Sequence, residues 1–268
     1  MMAQSAKLCE TGPKLKTRTN YGRKFFSAMA ALILISVFVG FAPTFFLRGI
    51  VKIPPIQRGF MSIAQPLPLL VVIHGAIYTS WILLLITQTS LIAAHRVRLH
   101  RRLGLAGFGL ACLVVLGGVA VSFEAIARLF PPADPRIAFF LAVTLFEVLE
   151  FALLACFGYF QRRNPPAHKR LMLLATICLL PQAFFRWPVW PGHDLRASTI
   201  GCWVLLALIA CYDFLTIRKI HLTTLGGGAA ITVASLVVAS PLVANAFIHN
   251  SLWFHFALRL QMFGRHLC

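Results

Sequence analysis

Two histidines in the sequence are each followed by two basic residues and a leucine. The segments are His100-Arg101-Arg102-Leu103 and His168-Lys169-Arg170-Leu171, and each opens an apolar run. We therefore expect the two histidines at equivalent depths on two parallel helices. Histidine is a common axial ligand of b-type haem, and helix bundles hold such cofactors between side chains of facing helices. The spacing predicts His100 and His168 as haem ligands, with neighbouring Arg and Lys side chains to bind the propionates.

A second interpretation of the same segments needs no cofactor. Basic loops at the ends of membrane helices face anionic lipid headgroups, and a histidine at a helix start is then incidental. Both histidines lie at the start of an apolar run rather than a turn or two inside it. The sequence leaves the two interpretations open, and it predicts a bilayer with anionic headgroups as a partner in either case.

A polar and aromatic stripe is predicted on another apolar run. His74, Tyr78, Trp81 and Gln88 are separated by four, three and seven residues. At 3.6 residues per turn these positions share one face of a helix. Polar side chains on a membrane helix face the bundle interior rather than lipid. The stripe is therefore either a functional cluster or a set of interhelical hydrogen bonds that determine packing.

Two carboxylates are predicted on one face of a third run. Glu147 and Glu150 are three residues apart, and carboxylates this close in a low dielectric share a proton or bind a cation. At 1.5 Å per residue, Glu147, His74 and Arg186 lie about 15, 11 and 6 Å below the outer ends of their helices. Gln182 precedes Arg186 by one helical turn and belongs to the same group. Either Arg186 pairs with a glutamate, or the cluster is a proton-relay or cation site.

The composition excludes most soluble classes. Of 268 residues, 59% are hydrophobic and 12% are charged, while the net charge is +18. An average soluble domain is about 25% charged, so this chain has too little polar surface for a cytosolic enzyme, a disordered chain or a secreted disulfide scaffold. On so apolar a chain the positive charge indicates a membrane protein with basic cytoplasmic loops rather than a nucleic-acid-binding protein.

Seven apolar runs are long enough, or nearly so, to cross a membrane. We therefore predict an all-α integral membrane bundle of about seven transmembrane helices. Of the 25 Lys and Arg residues, 16 fall in the four segments that lie on one side in this arrangement. The positive-inside rule then places the N-terminus in the cytoplasm and the C-terminus outside. The runs are 26–47, 67–94, 103–127, 137–160, 171–190, 197–217 and 225–248.

The same pattern divides the chain into three parts. A basic cytoplasmic segment at 1–24 precedes a single transmembrane domain at 25–250, whose core is expected at 66–190. The tail at 251–268 mixes aromatic with basic residues, so it is too polar to span and is expected in the membrane interface.

The remaining reactive side chains are assigned structural roles. Asp213 is expected to pair with Arg218 or Lys219, which follow it closely. The seven cysteines form no CxxC pair, and five lie in apolar runs, so neither a disulfide framework nor a zinc site is expected. The sequence contains no Walker loop, GxSxG or HExxH motif.

The motifs resemble those of uncharacterised bacterial polytopic inner-membrane proteins that pair His-Arg-x-x-Gly with His-x-x-x-Met at helix starts. The resemblance covers about 66–190, and it implies a multi-pass protein of a bacterial inner membrane without naming an activity. A weaker similarity to cytochrome b561-like bundles implies histidine-bearing helices that hold haem. The matching positions are His74-Gly75, Trp81, Gln88, His100-Arg101-Arg102-Leu103-Gly104, Pro166, His168-Lys169-Arg170-Leu171-Met172, Pro181 and Arg186.

Three functional hypotheses follow from these patterns. In the first, the buried polar residues are structural or bind a lipid or a protein partner. In the second, the protein is a b-type haem- or quinone-linked redox protein that uses His100 and His168. In the third, it is a proton- or cation-coupled transporter that uses His74, Glu147 and Glu150.

Overall fold

The regular elements of the chain are helices throughout the part that the structure describes. The computed structural model describes residues 11–50, 67–187 and 195–267. The elements are α1 (Thr11–Phe41), a π-helix (Ala42–Phe46), α2 (Leu69–Ala93), α3 (Val97–Leu129), α4 (Arg136–Phe160), a 3-10 turn (Gln161–Arg163), α5 (Pro165–Ile177), α6 (Pro181–Phe184), α7 (Leu195–Ile217), α8 (Leu222–Ala239), α9 (Pro241–His249) and α10 (Ser251–Leu267).

Six of the described helical segments are long and apolar enough to cross a membrane, with mean hydropathies between 1.8 and 2.4. Large apolar side chains on these segments face outward, and Leu116, Phe157 and Phe160 are 58–69% exposed. An exterior of this kind suits lipid rather than water. The protein is therefore all-α, with the helices of a multi-pass membrane protein. The segments are Tyr21–Phe46, Leu69–Ala93, Val97–Leu129, Arg136–Arg163, Ser198–Ile217 and Leu222–Ala239.

The predicted run at 171–190 is not one helix. α5 ends at Ile177, a turn follows, and Pro181 begins the four-residue α6. Proline has no N–H to donate, and its ring clashes with the carbonyl four residues earlier, which here belongs to Ile177. With 13 residues, α5 is shorter than a span, which is why six segments rather than seven meet the length criterion. Pro241 divides the predicted run at 225–248 into α8 and α9 in the same way.

The short helix α5 lies at the centre of the bundle. Leu173, Leu174, Ala175 and Ile177 are fully buried. α5 packs chiefly against α4 and α8, and it also contacts α1 and α7. A 13-residue helix has little stability of its own, so tertiary packing holds it in place.

One buried ion pair joins α5 to its neighbours. The side chains of Arg170 and Asp213 are 3% and 0% exposed. Arg170 donates from Nε to Oδ1 of Asp213 at 3.0 Å, and its Nη2 donates to the same oxygen. The other carboxylate oxygen accepts from Thr224 Oγ1 at 2.6 Å and from the backbone N–H of His221 at 3.1 Å. Residues from α5, α7 and the start of α8 therefore meet at one carboxylate.

The prediction for the partner of Asp213 is wrong. The partner is Arg170, 43 residues earlier, rather than Arg218 or Lys219. The chain turns at Arg218, whose φ of 58° is left-handed, and this turn brings the N–H of His221 back towards the end of α7. Burial, with the nearby Arg170 charge, lowers the pKa of His221.

The tail at 251–268 forms α10, which packs across the ends of α3 and α4. Gln261 is 1% exposed. It donates to the backbone oxygens of Ile126 at 2.9 Å and Pro131 at 3.0 Å, and it accepts from the N–H of Ala133 at 3.2 Å. Arg265 donates to the oxygen of Phe130 at 2.6 Å. These contacts occupy carbonyls that the end of a helix leaves without partners. We call this side of the bundle the α10 end.

We predict that Asp213→Asn lowers the free energy of unfolding by about 3–5 kcal/mol, because it leaves a buried guanidinium without a counter-charge. The measurement is thermal or denaturant unfolding in a fixed detergent. The matched control is Asp134→Asn, which removes the partner of a 66% exposed Arg136 and is expected to cost less than about 1 kcal/mol.

A double variant makes this prediction specific to the charge. Arg170→Met with Asp213→Leu removes both charges, and we expect it to recover most of the loss. Equal losses in the Asp213→Asn and Asp134→Asn variants would show that the buried pair has no special weight.

Candidate functional site

The structure brings His100 and His168 together. Each occupies the fourth position of its helix, α3 and α5 respectively. Their ring centres are 6.3 Å apart and the ring planes are inclined by 80°. Both side chains are half-buried. We call the side of the bundle that contains this pair the His end.

Each of the two rings is oriented by a hydrogen bond at Nδ1. The carbonyl oxygen of Gly158, in the last turn of α4, lies 2.8 Å from Nδ1 of His168. Gln88 lies against His100, and its amide oxygen accepts from the N–H of Gly104 at 3.0 Å while its nitrogen donates to His100 Nδ1 at 2.5 Å. The Gly158 carbonyl takes the proton of His168 at Nδ1 and leaves Nε2 of that ring for a ligand, whereas the Gln88 amide donates to His100, whose proton is therefore on Nε2. Four helices, α2 to α5, thus contribute to the pair.

The predicted stripe on α2 divides among three depths. Gln88 belongs to the histidine pair. Trp81 is 6% exposed in the core and donates from Nε1 to Thr176 Oγ1 at 3.2 Å, and its ring meets Phe151 edge-on at 5.1 Å. Trp81 therefore joins α2 to α5 by packing and a hydrogen bond, without any need for a ligand.

The upper part of the stripe contributes to a second polar cluster. The rings of His74 and Tyr78 are 4.1 Å apart, and His74 Nδ1 lies 3.3 Å from the carbonyl oxygen of Gly117. A Cβ at Gly118 would lie 2.6 Å from the Tyr78 hydroxyl oxygen. The absence of a side chain at Gly118 on α3 therefore allows the close approach of Tyr78 on α2.

Glutamine links the glutamate to the arginine in this cluster. Gln182 Nε2 lies 3.2 Å from Oε2 of Glu147. Arg186 donates from Nη1 to the backbone oxygen of Gln182 at 2.5 Å and to its Oε1 at 3.4 Å, and its guanidinium lies 4.7 Å from the ring centre of Phe41. The break before Pro181 changes the direction of the chain, so that Gln182 of α6 contacts Glu147 of α4.

Glu150 differs from the other described acidic residues. It is half-buried, and within the described ranges it makes neither a hydrogen bond nor an ion pair. Glu124 and Asp134 pair with Arg128 and Arg136. The predicted face shared by Glu147 and Glu150 is present on α4, but only Glu147 has a partner.

Larger metal clusters are absent from the part of the chain that has been described: no group of three or more His, Cys, Asp or Glu side chains there could hold a metal ion. Of the seven cysteines, five are described, and each of these is a free thiol.

Two features of the candidate site lie beyond sequence reasoning. The carbonyl of Gly158 belongs to the backbone, and the contact between Gln88 and His100 depends on how α2 packs against α3. Parts of two predicted segments fall outside the described residues, namely 1–10 of the basic segment 1–24 and positions 66 and 188–190 of the core 66–190. Comparison of the chain with protein families, curated proteins and solved structures finds no match in any of the three.

Proposed function

We propose that this multi-pass membrane protein binds b-type haem between His100 and His168, as a haem- or quinone-linked redox protein. The observation that carries the proposal is the pair of imidazoles, 6.3 Å apart and steeply inclined. Two ring nitrogens about 2 Å from one shared metal, with each ring centre about 1 Å farther out, place the ring centres about 6 Å apart. The separation in the protein matches that requirement.

The hydrogen bond at Nδ1 of His168 supports the same assignment. A histidine that ligates a metal commonly uses its other nitrogen to bond a carbonyl or a side chain, which fixes the ring and tunes its basicity. His168 has such a contact, with the carbonyl oxygen of Gly158, and its Nε2 is left for a ligand. Ligation by His100 requires the Gln88 amide to turn, so that its oxygen accepts from Nδ1.

Basic residues follow both histidines in sequence. Arg101 is exposed at the start of α3, and Lys169 follows His168 on α5, with its Nζ 4.4 Å from the ring centre of Phe26. Guanidinium and ammonium groups are suited to binding propionate carboxylates. A bound b-type haem supplies one-electron redox chemistry, and the residues of the chain would hold it, orient it and balance its carboxylates.

The resemblance to cytochrome b561-like bundles and to bacterial inner-membrane proteins agrees with this proposal, and we extend it to the location. We propose a bacterial inner membrane, with the basic His end in the cytoplasm and facing anionic headgroups. Five of the basic residues there, Arg96, Arg98, Arg101, Arg162 and Arg163, are exposed. Positive charge is retained on the cytoplasmic side of such membranes.

We propose that α5 and α6 together make a seventh crossing. Lys169 lies near Gly22 at the His end, and the Ala183 backbone lies against Gly40 at the far end of α1. The segment therefore covers the same depth as the span on α1. Seven crossings place the two termini on opposite sides, with the N-terminus inside.

A second candidate, a proton- or cation-coupled transporter, is favoured by one observation. Glu150 has no partner within the described ranges, and Glu147 next to it contacts the neutral Gln182. A carboxyl without a counter-charge in an apolar bundle takes up a proton or a cation. His74 and Tyr78 belong to the same cluster. A structural role alone accounts for Trp81 and Asp213, because their hydrogen-bond partners are residues of the same chain.

We predict that protein purified in a mild detergent from haem-replete cells shows a Soret band and about one b-type haem per chain. His100→Ala and His168→Ala are each expected to remove the band, because each variant lacks one of the two residues that would hold the haem. The matched control is His249→Ala, an exposed histidine at the α10 end, which is expected to keep it.

A colourless wild-type preparation would overturn the haem proposal, and so would a Soret band that survives in both histidine variants. Gel filtration of each variant distinguishes a lost cofactor from a lost fold. Gln88→Leu provides a second measurement, since it leaves both ligands in place and is expected to shift the haem reduction potential without removing the colour.

We predict opposite locations for the two termini. A phosphatase fused to the C-terminus is expected to be active outside the cytoplasm, and a fluorescent protein fused to the N-terminus is expected to fluoresce inside. Reporters that place both termini on the same side would contradict a seventh crossing.

We predict that Glu150 reacts with dicyclohexylcarbodiimide, a reagent for protonated carboxyls in apolar surroundings, at neutral pH. Mass spectrometry locates the adduct. Glu124 and Asp134 are the controls and are expected to stay unlabelled, because each is ion-paired and the hydrogen bond from Arg136 holds the pKa of Asp134 below its ordinary value. Labelling of Glu150 no greater than that of Glu124 would rule out the second candidate.

A further inference from the structure

A depression of about 360 Å³ lies at the His end, beside the turn between α2 and α3. It is separate from the histidine pair, since neither His100 nor His168 lines it. Its lining combines basic with apolar side chains. The lining residues are His95, Arg96, Val97, Arg98, Leu99 and Arg102.

Three guanidinium groups in this lining have no carboxylate partner. Arg96, Arg98 and Arg102 are exposed, and none makes an ion pair within the described ranges. Among the residues that the structure describes, Asp213 is the acidic residue at this end of the bundle, and it is already paired with Arg170. Guanidinium groups are suited to phosphate, which they bind through paired hydrogen bonds.

A fourth basic residue reaches the depression from α1. Arg23 Nη1 lies 2.7 Å from Nε2 of His95. Arginine can only donate, so His95 accepts and its Nε2 carries no proton. His95 adopts a left-handed backbone with a φ of 60°, which is uncommon outside glycine. The contact holds Arg23 beside the turn, so a residue of α1 lies against one of the residues that line the depression.

The apolar side chains of the lining select the class of ligand. Val97 and Leu99 are 42% and 41% exposed, and Leu105 further along α3 is 67% exposed. They continue from the basic depression onto the lipid-facing surface of a membrane span. A free phosphate would use only the arginines, whereas a phospholipid uses both surfaces, with its headgroup on the arginines and its acyl chains on α3.

We propose that this depression is a binding site for the phosphate headgroup of an anionic phospholipid, held by Arg98 and Arg102 with Arg23 at its rim. The site does not depend on the proposed haem. Binding here would tie α1 to the α2–α3 turn, because the residues that contact the headgroup belong to both.

The experiment is native mass spectrometry of the full chain released from nanodiscs that contain equal amounts of phosphatidylglycerol and phosphatidylcholine. Wild-type protein is expected to retain phosphatidylglycerol preferentially. Arg98→Gln with Arg102→Gln is expected to weaken this retention about 30-fold, since each basic residue at the membrane surface contributes about fivefold. Excess inorganic phosphate is expected to leave the retained lipid in place.

The matched control is Arg162→Gln with Arg163→Gln. It removes the same charge at the same end of the bundle, from exposed positions outside the depression, and is expected to leave retention unchanged. Equal losses in the two double variants would overturn the site and leave only general attraction to the surface. Displacement of the lipid by inorganic phosphate would overturn the choice of a lipid ligand.

Discussion

The ion pair between Arg170 and Asp213 is the interaction on which the bundle depends. A charge in an apolar interior is tolerated only with a counter-charge and further hydrogen bonds, and Asp213 has both, from Arg170 and from Thr224 and the N–H of His221. Because Arg170 is two residues after His168, the same contact fixes where the first turn of α5 lies. The placement of His168 opposite His100 therefore follows from an electrostatic requirement 43 residues away in sequence.

The break before Pro181 has the complementary effect at the other end of α5. A continuous helix would carry Gln182 on along the axis of α5, but the turn redirects the chain before α6 begins. Gln182 then contacts Glu147 on α4, and Arg186 contacts Gln182 and the ring of Phe41 on α1. The short helix α5 thus positions one residue of each polar cluster. His168 of the histidine pair lies at its start, and Gln182 of the second polar cluster lies just past its end.

Several of these features were predictable from sequence, for physical reasons. Apolar runs separated by basic loops can only form membrane helices, which predicts the all-α class. Helical periodicity placed His74, Tyr78, Trp81 and Gln88 on one face of α2. Periodicity does not show which side chains of the neighbouring helices lie at each depth, so the stripe divides among the histidine pair, the core and the second polar cluster. The partner of Asp213 was missed because nearness in sequence is a poor guide where three helices converge. The sequence predicted one apolar run at 171–190, whereas the lost hydrogen bond at Pro181 and the clash of its ring with the Ile177 carbonyl end the helix there.

The contacts of Gln261 and Arg265 have a consequence for how the chain is assembled. The carbonyls they occupy belong to residues near Phe130, so the two partners are separated by more than 130 residues of synthesis. A ribosome that has finished α3 must make seven more helical elements before α10 can reach it. During that interval the end of α3 relies on water or headgroups for its hydrogen bonds. The α10 end is therefore the part of the bundle that closes late, after the core around α5 is in place.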